Sequence, residues 1–212
     1  APVAYATFDP ATLAASVTVY AGETGVLPAT DSLNLLRVET FDGVTETTTL
    51  TEDVESGAAY VDKTPRLGST VIYRAVALAA SGAASTADAT VETDAAGMYA
   101  INFGDDGLLA LKWDRQASHD SSDDTELLEF AGRPAPVAYS GEHVSESISL
   151  RAIAVDAGTP ANVRALRRWL GTAIYREPRG YRAPVKVTGL SDAATDVPGH
   201  TSVSLSMRVV DA

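Results

Sequence analysis

The sequence contains no cysteine, which excludes disulfides and metal sites built on thiolates. Its only histidines are His119, His143 and His200, and none of them has a partner at the spacing of metal ligands. We therefore predict that the chain holds no metal ion and no cofactor.

Basic residues are also scarce, because 16 lysines and arginines stand against 28 aspartates and glutamates and leave a formal net charge of −12. Affinity for phosphate groups depends on lysine and arginine, so this balance argues against a general nucleic-acid or anionic-membrane binder. The longest apolar run, residues 75–80, is far too short to cross a bilayer. The first residues lack the basic and apolar regions of a signal peptide. We predict neither a nucleic acid nor a membrane as a partner.

Complete catalytic motifs are missing as well. Residues 140–143 place a serine, a glutamate and a histidine close together, but without the Gly-x-Ser-x-Gly elbow of a hydrolase. Residues 104–107 read Gly-Asp-Asp-Gly, which lacks the lysine of a phosphate-binding loop and presents negative charge. We predict no catalytic residue and a protein that is not an enzyme. A triad assembled in space from distant residues stays an open alternative.

What the sequence does contain is a series of β-strand patterns. In residues 1–93, runs such as 15–20 and 71–78 alternate apolar and polar side chains. Gly-rich turns separate these runs, and no helical periodicity interrupts them. The pattern predicts a β-sandwich for residues 1–93.

The order of Tyr60, Pro65, Gly68, Tyr73 and Gly82 resembles that of a fibronectin type III domain. The resemblance covers residues 12–93. It implies that Tyr73 is the corner tyrosine, with its ring packed inward and its hydroxyl bonded to the backbone upstream. An ordinary core aromatic is the alternative interpretation of Tyr73.

Residues 94–129 combine a hairpin pattern with an acidic stretch. Two apolar runs, 98–103 and 108–113, flank the turn signal at 104–107 and predict a hairpin. Residues 114–126 are polar, acidic and without periodicity, so we predict a mobile loop there. The carboxylates in this loop offer oxygen ligands for Ca²⁺, but their spacing differs from an EF-hand and a solvated loop is the favoured interpretation: Asp120, Asp123, Asp124 and Glu126.

The remaining residues alternate again and contain the single helix pattern. Residues 145–155 predict a strand with a bulge near Ala152. Thr159 is placed to cap a helix over residues 160–170 that ends at Gly171. The spacing of the apolar residues in that helix predicts one core-facing side: Val163, Leu166, Trp169 and Leu170. Residues 201–210 predict a final strand.

The motif order over residues 130–210 resembles the closing domain of minor tail (tail-tip) proteins from siphophages that infect actinobacteria. The matching elements, in chain order, are Gly132-Arg133, Pro136-Val137, Gly141-Glu142, the strand 145–155, the helix 160–170, Tyr175-Arg176, Pro178, Gly180, Arg182 and the strand 202–210. The resemblance implies an all-β chain: a fibronectin type III-like sandwich (1–93), then a distal-tail-like β-barrel or sandwich domain (94–212) carrying one short helix. It also implies a structural role in a tail tip or baseplate, made in the host cytoplasm and located in the virion.

One hairpin after the helix gathers side chains that are enriched at protein interfaces: Tyr175, Arg176, Arg179, Tyr181 and Arg182. Residues 130–212 carry 10 bases and 7 acids, whereas residues 94–129 carry 2 bases and 9 acids. We predict that the basic hairpin contacts the acidic region of another copy, in a trimeric or hexameric ring that also contacts neighbouring tail proteins.

Other interpretations of the hairpin and of the whole chain remain open. The hairpin arginines could pair within the chain and leave the hairpin solvated. The chain could be a secreted or cell-surface protein whose sandwich binds carbohydrate or protein, or an accessory domain of a glycan-degrading enzyme.

Overall fold

The structure is a computed structural model that describes residues 1–22, 29–128, 137–154, 159–197 and 200–211. It divides into two compact units, the first formed by residues 1–100 and 176–182, the second by residues 101–175 and 183–212. The sequence predicts the turn segment 176–182 as part of the second domain, whereas in the structure it belongs to the first unit.

The first unit holds seven strands: β1 (Val3–Asp9), β2 (Ala14–Tyr20), β3 (Ser32–Phe41), β4 (Val44–Thr51), β5 (Ala59–Asp62), β6 (Thr70–Leu78) and β7 (Ala84–Glu92). They form two antiparallel sheets in the orders β1-β2-β5 and β4-β3-β6-β7. Alternate residues of β2, β3 and β6 point into one shared core, which is the arrangement of a β-sandwich. The predicted all-β sandwich is confirmed.

The other seven strands are β8 (Tyr99–Phe103), β9 (Gly107–Leu111), β10 (Trp113–Leu128), β11 (Val137–Ala154), β12 (Ala173–Arg176), β13 (Arg182–Ala194) and β14 (Thr201–Val209). They form one sheet in the order β10-β11-β14-β13-β12-β8-β9, and most of their residues belong to the second unit. The predicted hairpin around residues 104–107 is confirmed as β8 and β9. One face is apolar because period-two alternation buries every second residue in 148–154 of β11 and 203–207 of β14: Ile148, Leu150, Ala152, Ala154, Val203, Leu205 and Met207.

The single helix in the described part of the chain is α1 (Thr159–Arg168), close to the predicted range. Val163 and Leu166 are buried as predicted. The prediction that Trp169 and Leu170 belong to the same buried side was wrong, because these residues are 39% and 81% exposed. The helix ends at Arg168, so the residues that follow leave the helical periodicity that would have placed them on the core side. This helix is neither long nor apolar enough to cross a membrane.

The acidic stretch 114–126 was predicted as a mobile loop, and this was wrong. It lies within β10, whose residues pair with β11 in antiparallel register from Trp113↔Ile153 to Leu128↔Val137. Backbone hydrogen bonds to the partner strand, rather than burial of an alternating apolar face, hold this strand in place. The side chains of Asp123, Asp124 and Glu126 lie outside the described residues, so the Ca²⁺ interpretation stays untested.

A register irregularity is present opposite Ala152, but the extra residue lies in the neighbouring strand β10 and not in β11, where the bulge was predicted. The register between β10 and β11 shifts between Trp113 and Gln116, opposite residues 151–153. β11 itself pairs with β14 without interruption from Ser147 to Ala154. Gly132, Arg133 and Pro136, which contribute to the resemblance, lie outside the described residues.

Candidate functional site

The segment that follows β12 forms a tight turn, as its Glu-Pro-Arg-Gly sequence predicts. The backbone N–H of Glu177 donates to the carbonyl of Tyr181 at 2.8 Å. Gly180 has a φ of +90°, a conformation that L side chains rarely adopt. A Cβ atom at Gly68 would lie 1.9 Å from the carbonyl oxygen of Pro178, so glycine is required where residue 68 packs against the turn.

Arg176 is the largest fully buried side chain in the described part of the molecule, with 0% of its surface exposed. Its Nη1 donates to the carbonyl oxygens of Leu13 at 2.9 Å and Pro65 at 3.0 Å. Burial lowers the pKa of Arg176 to about 10, since the charged form loses its solvation. The guanidinium therefore stays charged at neutral pH and is held by backbone oxygens.

Arg37 and Asp62 form a second buried contact. Arg37 Nη1 lies 2.9 and 2.8 Å from the two carboxylate oxygens of Asp62. Burial of Arg37 favours its neutral form, but the charges of Asp62 and Glu39 outweigh this and raise its pKa. The backbone N–H of Thr64 also donates to Asp62, at 2.9 Å. The carboxylate is thereby fixed from several directions.

Tyr73 completes the surroundings of Asp62. Its ring is fully buried, as expected for a corner tyrosine, but its hydroxyl donates to Asp62 Oδ2 at 2.9 Å instead of to the backbone. Burial, together with the negative charge of Asp62, raises the pKa of Tyr73. The hydroxyl is thus a hydrogen-bond donor to a structural carboxylate, and it is poorly suited to act as a base.

Glu39 joins the Arg37 contact to the turn segment. Its Oε1 accepts the backbone N–H of Arg66 at 2.7 Å, while its Oε2 lies 3.0 Å from Arg37 Nε and 2.5 Å from Arg182 Nη1. Glu39 is only 2% exposed. One buried carboxylate therefore contacts two arginine side chains and a main-chain N–H, which compensates the loss of its hydration.

Arg66 contacts the turn from the other side. Its Nη1 donates to the carbonyl of Gly180 at 2.9 Å, and its Nη2 donates to Glu46 at 2.7 Å. The guanidinium also lies 4.9 Å from the centre of the Phe41 ring, which packs edge-on against Tyr181. The hydrogen bond from Arg66 lowers the pKa of Glu46. These contacts hold the tip of the turn.

We call this group of eight side chains the buried charge cluster: Arg37, Glu39, Glu46, Asp62, Arg66, Tyr73, Arg176 and Arg182. Four arginines and three carboxylates contribute a formal charge of +1. Each of the three carboxylates already accepts a hydrogen bond from an arginine. The arrangement is suited to fixing the turn segment within the first unit rather than to proton transfer or nucleophilic attack.

The five hairpin residues predicted to form an interface lie in different environments. Tyr175 and Arg176 are buried, and the side chain of Arg182 is 13% exposed and paired with Glu39. Arg179 is exposed and Tyr181 is half-buried. An interface role for the hairpin stays a prediction, and in this structure it depends on Arg179 and Tyr181.

Sequence reasoning missed Arg37, Glu39, Asp62 and Arg66, although a signal for the first two was present. In β3, alternate residues from Leu33 to Glu39 share one buried side. Period-two alternation therefore places Arg37 and Glu39 on the core-facing side of a strand, where charged residues occur only when they are paired.

The residues considered for metal or catalytic roles either take part in other contacts or lie outside the part of the chain that the structure describes. His119 Nδ1 lies 2.9 Å from Glu146 Oε1 on the neighbouring strand. The side chains of Ser140, Glu142 and His143 are not among those described. Within the described ranges, no group of three or more histidine, aspartate or glutamate side chains converges as a metal site would require.

Comparison with known proteins gives few matches. No family model matches the chain, and no curated protein matches it. A chain from the virion of a native gene transfer agent particle is 18% identical, with 54% of this chain and 92% of that chain covered and a TM-score of 0.37. A chain from the tail of an empty gene transfer agent particle, with C6 symmetry, is 18% identical at 55% and 92% coverage and a TM-score of 0.38. Structural similarities with TM-scores this low do not support a functional assignment.

Proposed function

We propose that this chain is a structural minor tail protein of a phage tail tip, and that it works by contacts with copies of itself and with neighbouring tail proteins. The motif order over residues 130–210 supports the assignment. The structure has a long strand, one short helix, a short strand, a glycine turn and two further strands in the order that the resemblance implies: β11, α1, β12, 177–180, β13 and β14.

The observation that carries the proposal is the long edge strand β10. It pairs with β11 on one side, and among the described residues no strand pairs with its other side. Its sequence contains neither proline nor lysine, the residues that commonly protect an exposed edge. A strand of 16 residues whose outer side pairs with no described strand is a template for another polypeptide to extend the sheet.

The opposite end of the same sheet differs from β10. The side chain of Asn162, on α1, donates to the carbonyl of Leu108 in β9 at 2.8 Å. A helix residue thus occupies a backbone acceptor at that edge. We infer that β10 is the edge available for association, with a ring of three or six copies as the expected closed assembly.

Static light scattering after size-exclusion chromatography tests self-association. Proline variants at Ala117 and at Ser118 form a matched pair, since successive N–H groups of a strand point to opposite sides. One proline removes a hydrogen bond to β11 and lowers the melting temperature, while the other blocks only the outer edge. We expect the variant with the wild-type melting temperature to remain monomeric while the wild type assembles. A wild-type chain that stays monomeric, or an edge-blocked variant that still assembles, contradicts the proposal.

Arg179 gives a second test of the assembly. We propose that it contacts acidic residues of another copy, with the exposed Asp105 and Asp106 as partners. Arg179→Glu is then expected to weaken assembly, Arg179→Lys to leave it nearly unchanged, and Arg179→Glu combined with Asp105→Lys and Asp106→Lys to restore it. Assembly that responds to none of these changes removes this contact from the proposal.

The location in a tail is tested on particles. Electron micrographs of phage particles that carry the chain, labelled with an antibody against it, are expected to show label at the tail tip. Label on the capsid, or on no particle at all, contradicts the assignment.

A further inference from the structure

The outward side of the three-stranded sheet in the first unit carries exposed aromatic and apolar groups. Cross-strand pairs place its residues on one side of the sheet: Val3 opposite Tyr20, Tyr5 opposite Thr18, Thr7 opposite Ser16, Ser16 opposite Val61 and Thr18 opposite Ala59. We call these eight residues the tyrosine face.

The tyrosine face leaves large side chains in contact with solvent. Tyr5 is 62% exposed, Tyr20 44%, Val3 41% and Val61 49%. The two tyrosine rings lie edge to face with centroids 6.1 Å apart, so each ring helps to orient the other. A contiguous exposed group of this kind commonly marks a binding site.

None of the eight residues of the tyrosine face is charged, although the chain has a net charge of −12. The outward side of the other sheet in the same unit is different. There Arg74 pairs with Asp88 at 2.8 Å, and Thr70 donates to Glu92 at 2.7 Å. The next outward residue of β1, Asp9, is charged, but its carboxylate accepts hydrogen bonds from the Ala11 N–H at 2.9 Å and the Thr12 hydroxyl at 2.8 Å. The eight residues of the tyrosine face themselves carry no charge, which disfavours phosphorylated, acidic and basic partners.

The size of the tyrosine face also restricts the partner. A standard protein–protein interface uses roughly 20–30 residues a side. Eight residues, four of them small, are too few for a stable contact with a second copy or another folded protein. The face is suited to a ligand a few residues long.

We propose that the tyrosine face binds neutral glycans. Tyrosine rings offer flat apolar surfaces to the C–H faces of pyranose sugars, and tyrosine hydroxyls remain free to hydrogen-bond. The hydroxyls of Thr7, Ser16 and Thr18 both donate and accept, as sugar hydroxyls do. This binding does not depend on the proposed tail function, because it uses a different surface from the β10 edge.

Native gel electrophoresis with a polysaccharide cast in the gel tests the proposal on the full chain. The neutral probes are a mixed-linkage β-glucan, a xylan, a galactomannan and an arabinogalactan, and polygalacturonate is the acidic probe. We expect at least one neutral polysaccharide to retard the protein and polygalacturonate to leave its mobility unchanged. No retardation by any neutral probe, or retardation by polygalacturonate alone, overturns the proposal.

Substitutions of the two tyrosines test whether the retardation depends on the tyrosine face. Tyr5→Ala and Tyr20→Ala are each expected to weaken the affinity roughly tenfold, as the loss of about 1.4 kcal/mol does. Trp113→Ala is the matched control, because it removes an exposed aromatic residue outside the face. Melting temperatures verify that each variant folds. Retardation that survives in the Tyr5→Ala/Tyr20→Ala double variant overturns the proposal, as does self-association that this double variant abolishes.

Discussion

The buried charge cluster and the tyrosine face lie in the same unit and have opposite compositions. Inside, four arginines and two carboxylates are largely buried around a single turn, and the third carboxylate, Glu46, lies at its solvent side. Outside, the eight residues of the tyrosine face carry no charge, and seven of them are exposed. The usual distribution puts charge at the surface and apolar groups in the interior. The two departures from this distribution have different consequences. The buried charge cluster fixes the turn segment 176–182, whereas the tyrosine face presents an uncharged surface to solvent.

Within the buried charge cluster, substitution of Arg176 has the largest expected effect on the free energy of unfolding. Arg176→Ala leaves the carbonyls of Leu13 and Pro65 without their donor and creates a cavity. We expect the free energy of unfolding to fall by about 3–5 kcal/mol, measured by urea denaturation. Arg179→Ala, which removes an exposed arginine three residues away, is the control and should change it by less than about 0.5 kcal/mol. Equal effects of the two variants would contradict the structural role of Arg176.

Replacing Asp62 tests the second buried contact. Asp62→Asn keeps the shape but removes the charge that faces Arg37 and replaces one of the two oxygens that accept from Arg37, Thr64 and Tyr73 by an N–H donor. We expect a loss of about 2–3 kcal/mol in denaturation experiments. Asp88→Asn breaks the exposed pair with Arg74 and should cost less than about 1 kcal/mol. If both substitutions cost the same, burial does not determine the strength of these pairs.

Glu46 lies at the solvent side of the cluster and makes it sensitive to acid. Its pKa is lowered in the folded state, first by the hydrogen bond from Arg66. The stability that this contact contributes is therefore complete above the ordinary pKa of 4.5 and is lost as the pH falls through the lower folded value. Solvent screening keeps it below about 1 kcal/mol. Melting temperatures of wild type and Glu46→Gln should differ at pH 6 and converge at pH 3; a constant difference would refute this origin.

Substitutions in the tyrosine face have the smallest expected effect on stability. Tyr5→Ala removes an exposed ring and its edge-to-face contact with Tyr20. We expect the free energy of unfolding to change by no more than about 0.5–1 kcal/mol, while glycan retardation weakens clearly. A large loss of stability in thermal unfolding would show that the tyrosines hold the sheet together rather than form a binding surface.

Much of the fold follows from local patterns in the sequence. Alternation at period two located most strands of the first unit, and Thr159, Pro160 and Gly171 located the helix. The acidic stretch in β10 was missed because its pairing depends on backbone hydrogen bonds to residues up to 40 positions away. An edge strand with polar residues on both sides carries no periodic signal.

The buried charge cluster could be predicted only in part. The alternation in β3 indicates that Arg37 and Glu39 face the core. It gives no information on their partners. Arg176 bonds the carbonyl of Leu13 across 163 positions, and Arg182 meets Glu39 across 143. Contacts of such sequence separation arise from the packing of the whole unit and leave no local pattern in the sequence. The tyrosine and arginine content of the hairpin therefore predicted a surface role even for Tyr175 and Arg176, which are buried.

The turn at 176–182 also has a consequence for the order in which the protein is made. Domains near the N-terminus generally fold first, while the ribosome is still adding later residues. Here the first unit includes residues 176–182, which leave the ribosome after most of the second unit has been synthesised. Its sandwich can collapse early around its apolar core. We expect the unit to gain full resistance to proteases only after residue 182 has emerged from the exit tunnel.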